Sequence, residues 1–289
     1  MKLIKKFILV GILTLLIIEV TLRYIGFGDP VIYQNSNYNY YPKYNQNKNR
    51  YMGANININH LGMRTNFKWN NYTSKKKFLF FGDSISFGGS YIDNKNLFSE
   101  IVCNKYFTES LCGNYGVNGY ELNNIIDRIN NIDEKYYDQI IIVTSGNIKY
   151  GKANFQEFPF YKKFDYFLLK ATIEVLNHYL FKNNIYYAYH NKSNKLKIVD
   201  NPKKIEKLIE DFNILSQTKK ISLFLLPSLE DLDKKNNNTL QLSKFKNLDV
   251  INLYDSIIEK KYKDLYFNNA HLNKKGHEYI AKIIYDNLK

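Results

Sequence analysis

The sequence predicts an α/β domain of three layers, in which a flavodoxin-like parallel sheet of five strands lies between two layers of helices. From residue 77 to the end of the chain, short apolar runs alternate with amphipathic helical patterns. The run 139–144 consists almost entirely of β-branched residues, which is typical of a strand buried on both faces. Polar segments follow several of these runs, and ligands of open parallel sheets bind beyond the carboxyl ends of the strands.

Each element follows from its own stretch of sequence, since apolar runs of strand length alternate with segments of helical period. The predicted strands are 78–81, 110–115, 139–144, 221–226 and 249–253. The predicted helices are 97–106, 121–132, 205–215 and 280–288. Because connections between parallel strands are right-handed, these helices are expected to cover both faces of the sheet.

Composition excludes several classes of protein. The chain has 289 residues and a net charge of +14, but its lysines are scattered among asparagine and tyrosine. It has no basic recognition helix, zinc-ligand spacing or RNA-binding motif, so we expect no nucleic-acid partner and no metal or other cofactor. The charge is compatible with attraction to anionic lipid or polysaccharide.

The N-terminus has the order of charge and apolarity that is typical of a membrane-targeting segment. Lys2, Lys5 and Lys6 precede the apolar run 7–18, and no small-x-small cleavage site follows. We therefore predict an uncleaved signal anchor over residues 1–28, forming a single-pass membrane helix. The rest of the chain is then expected on the extracytoplasmic side. A cleaved signal peptide is the alternative.

Residues 29–76 are rich in asparagine and tyrosine with little periodicity, and they are predicted to be an extended connector. Residues 59–64 within it resemble a short edge strand and turn. The domain proper is predicted over 77–289, with an aromatic-rich insertion at 148–200. The insertion is expected to be a helical lid, and its aromatic residues are alternatively suited to line an acyl or sugar site.

Cys103 and Cys112 are the only cysteines. Outside the cytoplasm an even pair can form a disulfide. Two unpaired core thiols are the alternative, because Cys103 falls in an apolar helical pattern.

The segment Gly82-Asp83-Ser84 is the first candidate for chemistry. It follows the strand 78–81, where a serine is held on a rigid base with its hydroxyl exposed. If a helix begins at Ser84, its first backbone amides face any anion that forms there. The alternative is that Asp83 and Ser84 only cap this helix.

Three further polar blocks follow predicted strands or precede the last helix. The four blocks are Gly82 to Ser84, Asn114 to Gly119, Ser145 to Asn147, and His271 to Asn273 with Gly276. In order and spacing they resemble the SGNH (GDSL-type) hydrolases over residues 77–289. The basic and apolar start, the connector and residues 59–64 resemble the membrane-anchored bacterial members of that family.

The resemblance implies a role for each block. Ser84 is the implied nucleophile and His271 its general base, because a serine hydroxyl attacks only when a base takes its proton. The backbone N–H groups of Ser84 and Gly119 and the side-chain amide of Asn147 are the implied oxyanion hole. The alternatives are local roles: turn residues for Gly119 and Asn147, and a hydrogen bond at the helix start for His271. His277 is predicted to face solvent.

Two positions depart from the family pattern. The third block has Ser145 where the family has glycine and Ile148 where it has aspartate, although Asn147 is kept. Asn268 stands three residues before His271, where the family has the aspartate of its triad. We expect Asn268 to orient His271 without bringing a charge, which leaves a Ser84–His271 dyad with no nearby carboxylate.

These observations predict a serine esterase that acts through an acyl-Ser84 intermediate. The expected substrate is an ester-bearing glycan or lipid, with an O-acetyl group of a cell-surface glycan as the first choice. Three alternatives remain open: an acyltransferase that passes the acyl group to a sugar, a lipid esterase, and a catalytically weak binding protein of the cell envelope. Asn268 is the main argument for the last of these.

Overall fold

The computed structural model describes residues 2–36, 40–69, 75–132, 137–146, 150–151, 169–182, 202–237, 244–246 and 248–289. Its strands are β1 (Tyr33–Asn35), β2 (Tyr40–Pro42), β3 (Gln46–Arg50), β4 (Ala54–Ile58), β5 (Lys76–Gly82), β6 (Ser110–Asn114), β7 (Gln139–Ser145), β8 (Ile221–Leu226) and β9 (Asp249–Asn252). Its α-helices are α1 (Lys2–Tyr24), α2 (Ser84–Phe87), α3 (Phe98–Ile101), α4 (Leu122–Asn130), α5 (Lys170–Lys182), α6 (Pro202–Thr218), α7 (Leu229–Asp233), α8 (Tyr254–Ile258) and α9 (Lys274–Leu288).

The central sheet has five parallel strands in the order β6-β5-β7-β8-β9. The first strand of the sheet, β5, therefore lies inside it, between the second and the third along the chain. This 2-1-3-4-5 order is the flavodoxin-like arrangement and confirms the predicted α/β class. The carboxyl ends of β5, β6 and β7 consequently meet at one edge of the sheet.

Helices cover both faces of this sheet, because successive side chains of a strand point to opposite sides. Leu79 and Phe81 of β5 are buried in one hydrophobic cluster together with residues of α4 and α6. Phe78 and Phe80 belong to a second cluster, which contains residues of α3 and α9. The predicted three-layer arrangement is confirmed.

The segment 29–76, predicted to be an extended connector, is different in its described part. It forms two antiparallel hairpins, β1–β2 and β3–β4, and its side chains enter the first hydrophobic cluster. Tyr40 shows how a tyrosine-rich segment can be buried: its ring is fully buried while its hydroxyl donates to the backbone oxygen of Asn118 at 2.5 Å. The prediction of an extended connector was wrong. It relied on the lack of a regular apolar period, and these aromatic residues are buried without one.

Helix α1 has the predicted position, and most of its apolar side chains are exposed. Among the residues that the structure describes, no helix has the length and apolarity needed to cross a membrane. The predicted N-terminal membrane helix therefore has no support here as a span. The far end of α1 contacts the start of α5, where the buried Glu19 accepts the backbone N–H groups of Ala171 and Thr172.

The two cysteines form a disulfide, so the alternative of two free thiols is wrong. Cys103 lies in a π-helical segment, Val102–Tyr106, that continues α3, and Cys112 lies in β6. The bond attaches this helical segment to an edge strand of the sheet. Most of the predicted insertion at 148–200, including all its aromatic residues from 155 to 167, lies outside the described residues.

Candidate active site

The turn between β5 and α2 depends on Gly82. This residue has a φ of 155°, and a Cβ there would lie 2.0 Å from the backbone oxygen of Val143 and 2.3 Å from Ser86 Oγ. Only glycine fits so close to β7. The turn places Asp83 as the N-cap of α2 and Ser84 as the first residue of that helix.

The structure brings Ser84 and His271 into contact, although 187 positions separate them in the chain. The distance between Ser84 Oγ and His271 Nε2 is 2.8 Å, which is within hydrogen-bonding range. Both residues are partly buried. The contact has the geometry that proton transfer from serine to histidine requires.

Asn268 contacts the other nitrogen of the ring. Its Oδ1 lies 3.0 Å from His271 Nδ1 and accepts the backbone N–H groups of Ala270 and His271, each at 3.0 Å. An NH₂ group cannot accept these two bonds, so the amide oxygen must face the ring. The Nδ1–H group then donates to Asn268, and the lone pair of Nε2 is directed to Ser84.

The surroundings of His271 favour its neutral form. Burial lowers the pKa of His271, and the charge of Asp83 opposes this shift. A neutral imidazole whose Nε2 has a free lone pair is the form that can accept a proton at neutral pH. The ring is thus in the state that a general base requires.

Asp83 is a carboxylate near His271 that sequence reasoning missed. Its oxygens accept the backbone N–H of Ile85 at 2.7 Å, the hydroxyl of Thr144 at 2.9 Å and the backbone N–H of Ser145 at 3.2 Å. Burial raises the pKa of Asp83 overall, although these hydrogen bonds and the charge of His271 oppose the shift. The expectation of no nearby carboxylate was therefore wrong. The available signal was the position of Asp83 next to Ser84, which by itself indicated only a helix cap.

The second block packs directly against the helix that carries Ser84. Asn114 Nδ2 donates to the backbone oxygen of Ser86 at 2.7 Å, and Val117 N–H donates to the backbone oxygen of Gly82 at 3.0 Å. Gly119 lies in the turn that follows, with a φ of 77°. The block thus ends in a glycine turn beside the end of β5.

The third block is described only in part. Ser145 ends β7 and bonds Asp83, and Gly146 N–H donates to the backbone oxygen of Leu226 at 2.8 Å. Asn147 lies outside the described residues, so its predicted role stays a prediction.

Arg64 is a second residue whose importance the sequence did not reveal. Its guanidinium is buried over the ring of Phe87 and donates to the backbone oxygens of Phe87, Gly89 and Ile92. These bonds hold the loop that follows α2. Burial lowers the pKa of Arg64 to about 10, which still leaves it charged at neutral pH.

His277 is buried, so the prediction that it faces solvent was wrong. Its ring stacks on Phe98, and its Nδ1 accepts the backbone N–H of Phe98 at 3.2 Å. Burial lowers the pKa of His277 to about 3, which makes it a neutral packing residue. Within the described ranges, no group of three or more His, Cys, Asp or Glu side chains is arranged to hold a metal ion.

No family model matches this chain, and no curated protein matches it either. Several solved structures are similar to it. A lipolytic G-D-S-L family protein from Veillonella parvula is 16% identical, with a TM-score of 0.46, and the match covers 74% of this chain and 98% of that one.

A lipase/acylhydrolase from Enterococcus faecalis is 15% identical, with a TM-score of 0.42 and coverage of 74% of this chain and 95% of that one. The psychrotrophic esterase EstA from Pseudoalteromonas is 15% identical, with a TM-score of 0.42 and coverage of 73% and 96%. Likenesses of this extent do not decide what this chain does, which depends on the geometry of its own residues.

Proposed function

We propose that this chain is a serine esterase that transfers an acyl group from an ester to Ser84 and then to water. The observation that carries the proposal is the series of contacts from Ser84 Oγ to His271 Nε2, at 2.8 Å, and from His271 Nδ1 to Asn268 Oδ1, at 3.0 Å. A hydroxyl, a neutral imidazole and an acceptor that orients the ring are the parts of an activated serine nucleophile.

In the first half of the reaction, Ser84 Oγ bonds to the ester carbonyl carbon while its proton moves to His271 Nε2. The tetrahedral intermediate carries a negative charge on the former carbonyl oxygen. The proposed donors to that oxygen are the backbone N–H groups of Ser84 and Gly119 and the side-chain amide of Asn147. When the bond to the leaving oxygen breaks, Nε2 returns the proton to it and the alcohol departs.

In the second half, His271 takes a proton from water as the water oxygen attacks the acyl carbon. Collapse of this intermediate breaks the bond to Ser84 Oγ, which recovers the proton from Nε2, and the carboxylic acid leaves. Asn268 keeps the ring oriented throughout, but unlike aspartate it does not add a negative charge to stabilise the imidazolium.

We further propose that the domain acts outside the cytoplasm, held at a bacterial membrane by α1, on ester groups of a cell-surface glycan. Two observations support this location. Lys2, Lys5 and Lys6 precede an apolar run whose side chains are exposed in α1. Disulfides such as Cys103–Cys112 are typical of oxidising compartments. Carbonate extraction of membranes from cells that express the full chain tests the attachment, and complete release contradicts it.

Labelling with a fluorophosphonate, followed by peptide mass spectrometry, tests the proposed nucleophile. The proposal expects a covalent adduct on Ser84 in the wild type and none in Ser84→Ala, with loss of aryl acetate turnover in that variant. Ser86→Ala is a poor control, because Ser86 Oγ donates to the buried backbone oxygens of Phe81 and Val143. The half-buried Ser36 is not among the residues of this site, so Ser36→Ala is a better control. Absence of an adduct from a folded wild type would favour a binding protein.

A further inference from the structure

A groove of about 840 Å³ lies beside the segment that carries His271. We call it the basic groove and define it by Tyr91, Lys95, Phe267, Lys274 and Lys275, which are among its lining residues. Its volume falls within the range of roughly 300–1,000 Å³ that is typical of ligand sites.

The aromatic pair of the groove is attached to the catalytic loop. Phe267 N–H donates to the backbone oxygen of His271 at 2.8 Å. The hydroxyl of Tyr91 donates to the backbone oxygen of Leu272 at 3.2 Å. The two rings stack with their centroids 4.0 Å apart. Phe267 remains 46% exposed, so Tyr91 supports an aromatic surface that is open to a ligand.

The lysines of the groove are not explained by the stability of the fold. Lys274 and Lys275 occupy the first turn of α9, where the helix dipole disfavours positive charge. Within the part of the chain that the structure describes, Lys95, Lys274 and Lys275 form no salt bridge. Natural sequences tend to break such local rules at functional sites.

The two carboxylates of the groove cancel only part of this charge, because four lysines line it. The carboxylate of Asp93 accepts the backbone N–H groups of Asn55 and Lys95, at 3.2 and 3.0 Å, and so serves as a cap. Lys263, a fourth lysine in the lining, is paired with Asp233 outside the groove at 3.3 Å. Asp264 is the other carboxylate in the lining, which leaves the groove positive.

We infer that the basic groove binds an anionic polysaccharide and thereby presents the ester groups of that chain to Ser84. The inference rests on the proposed esterase function and names its substrate class. The lysines would neutralise carboxylate or phosphate groups along the glycan, and the exposed ring of Phe267 would stack on the apolar face of a sugar. Anionic lipid headgroups could pair with the lysines, but they have no flat apolar face that would stack on the aromatic pair of the groove.

The test compares two double variants that lose the same charge. Lys274→Gln with Lys275→Gln alters the groove. Lys203→Gln with Lys207→Gln alters exposed positions of α6, which packs on the opposite face of the sheet. For each protein, kcat/KM is measured on O-acetylated polygalacturonate, which is anionic, and on O-acetylated glucomannan, which is neutral.

The wild type is expected to prefer the anionic polymer. The groove variant is expected to lose roughly fivefold or more of that preference, mainly through KM, with a weaker dependence on salt. The α6 variant is expected to keep the preference. Equal losses in both variants would overturn the inference in favour of general charge attraction, and so would a wild type without any preference for the anionic polymer.

A binding measurement separates this inference from the esterase proposal. Affinity electrophoresis in gels that contain deacetylated polygalacturonate requires no chemistry. Retardation that depends on Lys274 and Lys275 supports polysaccharide binding in the basic groove, even if aryl acetate is not hydrolysed. Hydrolysis of aryl acetate without retardation would support the esterase proposal but overturn the proposed binding in the groove. Binding to phosphatidylglycerol vesicles without binding to the polymer would also overturn it, in favour of a lipid.

Discussion

The amide oxygen of Asn268 lies 3.0 Å from Nδ1 of His271, while the other ring nitrogen contacts Ser84 at 2.8 Å. In a serine protease, replacing the triad aspartate by asparagine costs about 10⁴ in kcat, because the histidine takes the wrong tautomer. Here the backbone N–H groups of Ala270 and His271 hold the amide in the orientation that keeps the right one. The chain therefore lacks the charge of a triad carboxylate but retains its orienting hydrogen bond.

The first prediction concerns Asn268→Asp. Aspartate can accept the same three bonds and adds a negative charge, so kcat/KM for an aryl acetate should rise about tenfold. The same charge should raise the pKa of His271. In a plot of kcat/KM against pH, the acidic limb should then move to higher pH. Kinetics between pH 4.5 and 8 check both effects. If neither rate nor limb changes in the folded variant, Asn268 does not act on His271 in solution.

The second prediction concerns Asp83→Asn, which removes a carboxylate whose charge acts on the pKa of His271. Since the Asp83 charge opposes the effect of burial on the pKa of His271, its removal should move the acidic limb to lower pH and reduce kcat. The amide must also turn its NH₂ toward one of three donors, so we expect a loss of about 1–3 kcal/mol in the free energy of unfolding. A limb at higher pH would contradict the assigned interaction.

The third prediction concerns His277 and the dependence of stability on pH. The pKa of His277 is about 3 in the folded state, against an ordinary value of 6.5. Between these values the unfolded chain binds more protons, so His277 should cost about 1.4 kcal/mol of stability for each pH unit below 6.5. Glu100 acts oppositely, because burial raises its pKa to about 7 and its protonation stabilises the fold as the pH falls below that value.

For that reason the measurement compares wild type with His277→Phe, which keeps the stacking on Phe98 and the same Glu100. Urea unfolding at several pH values from 7 to 5 gives the difference in the free energy of unfolding. The advantage of the wild type should shrink as the pH falls. A constant difference would show that His277 is not buried as a neutral ring.

The fourth prediction concerns the turn before Ser84. A Cβ at residue 82 would lie 2.0 Å from the backbone oxygen of Val143, and this oxygen cannot move away unless β7 moves. Gly82→Ala should therefore lower the free energy of unfolding by about 3 kcal/mol or more, or prevent folding. Gly53→Ala is the matched control: Gly53 also has a positive φ, of 72°, but a Cβ there meets nothing within 4 Å. It should cost only about 1–2 kcal/mol, the strain of the backbone alone. Equal losses in urea unfolding would contradict the close packing.

The sheet and the positions of the polar blocks, as far as the structure describes them, followed from the sequence alone, because both depend on local patterns. The run 139–144 has the composition of a buried strand, whichever strands lie beside it. In a parallel sheet the carboxyl ends of all strands lie at the same edge. The final helix also followed from its stripe. His277 lies on that same stripe, three and four residues before the buried Ile280 and Ala281, so its burial was readable from the period although a histidine there argued against it.

Only the tertiary structure decided which side chains act on one another across the chain. Whether Asn268 turns its oxygen or its NH₂ to the ring depends on two backbone N–H groups whose directions no residue pattern encodes. The charge of Asp83 reaches His271 because α2 and the loop before α9 meet at the same edge of the sheet. The packing of strands β1 to β4 and the hydrogen bonds of Arg64 likewise arise from contacts between distant segments, since the free energy of burial depends on the partner surface and not on local sequence.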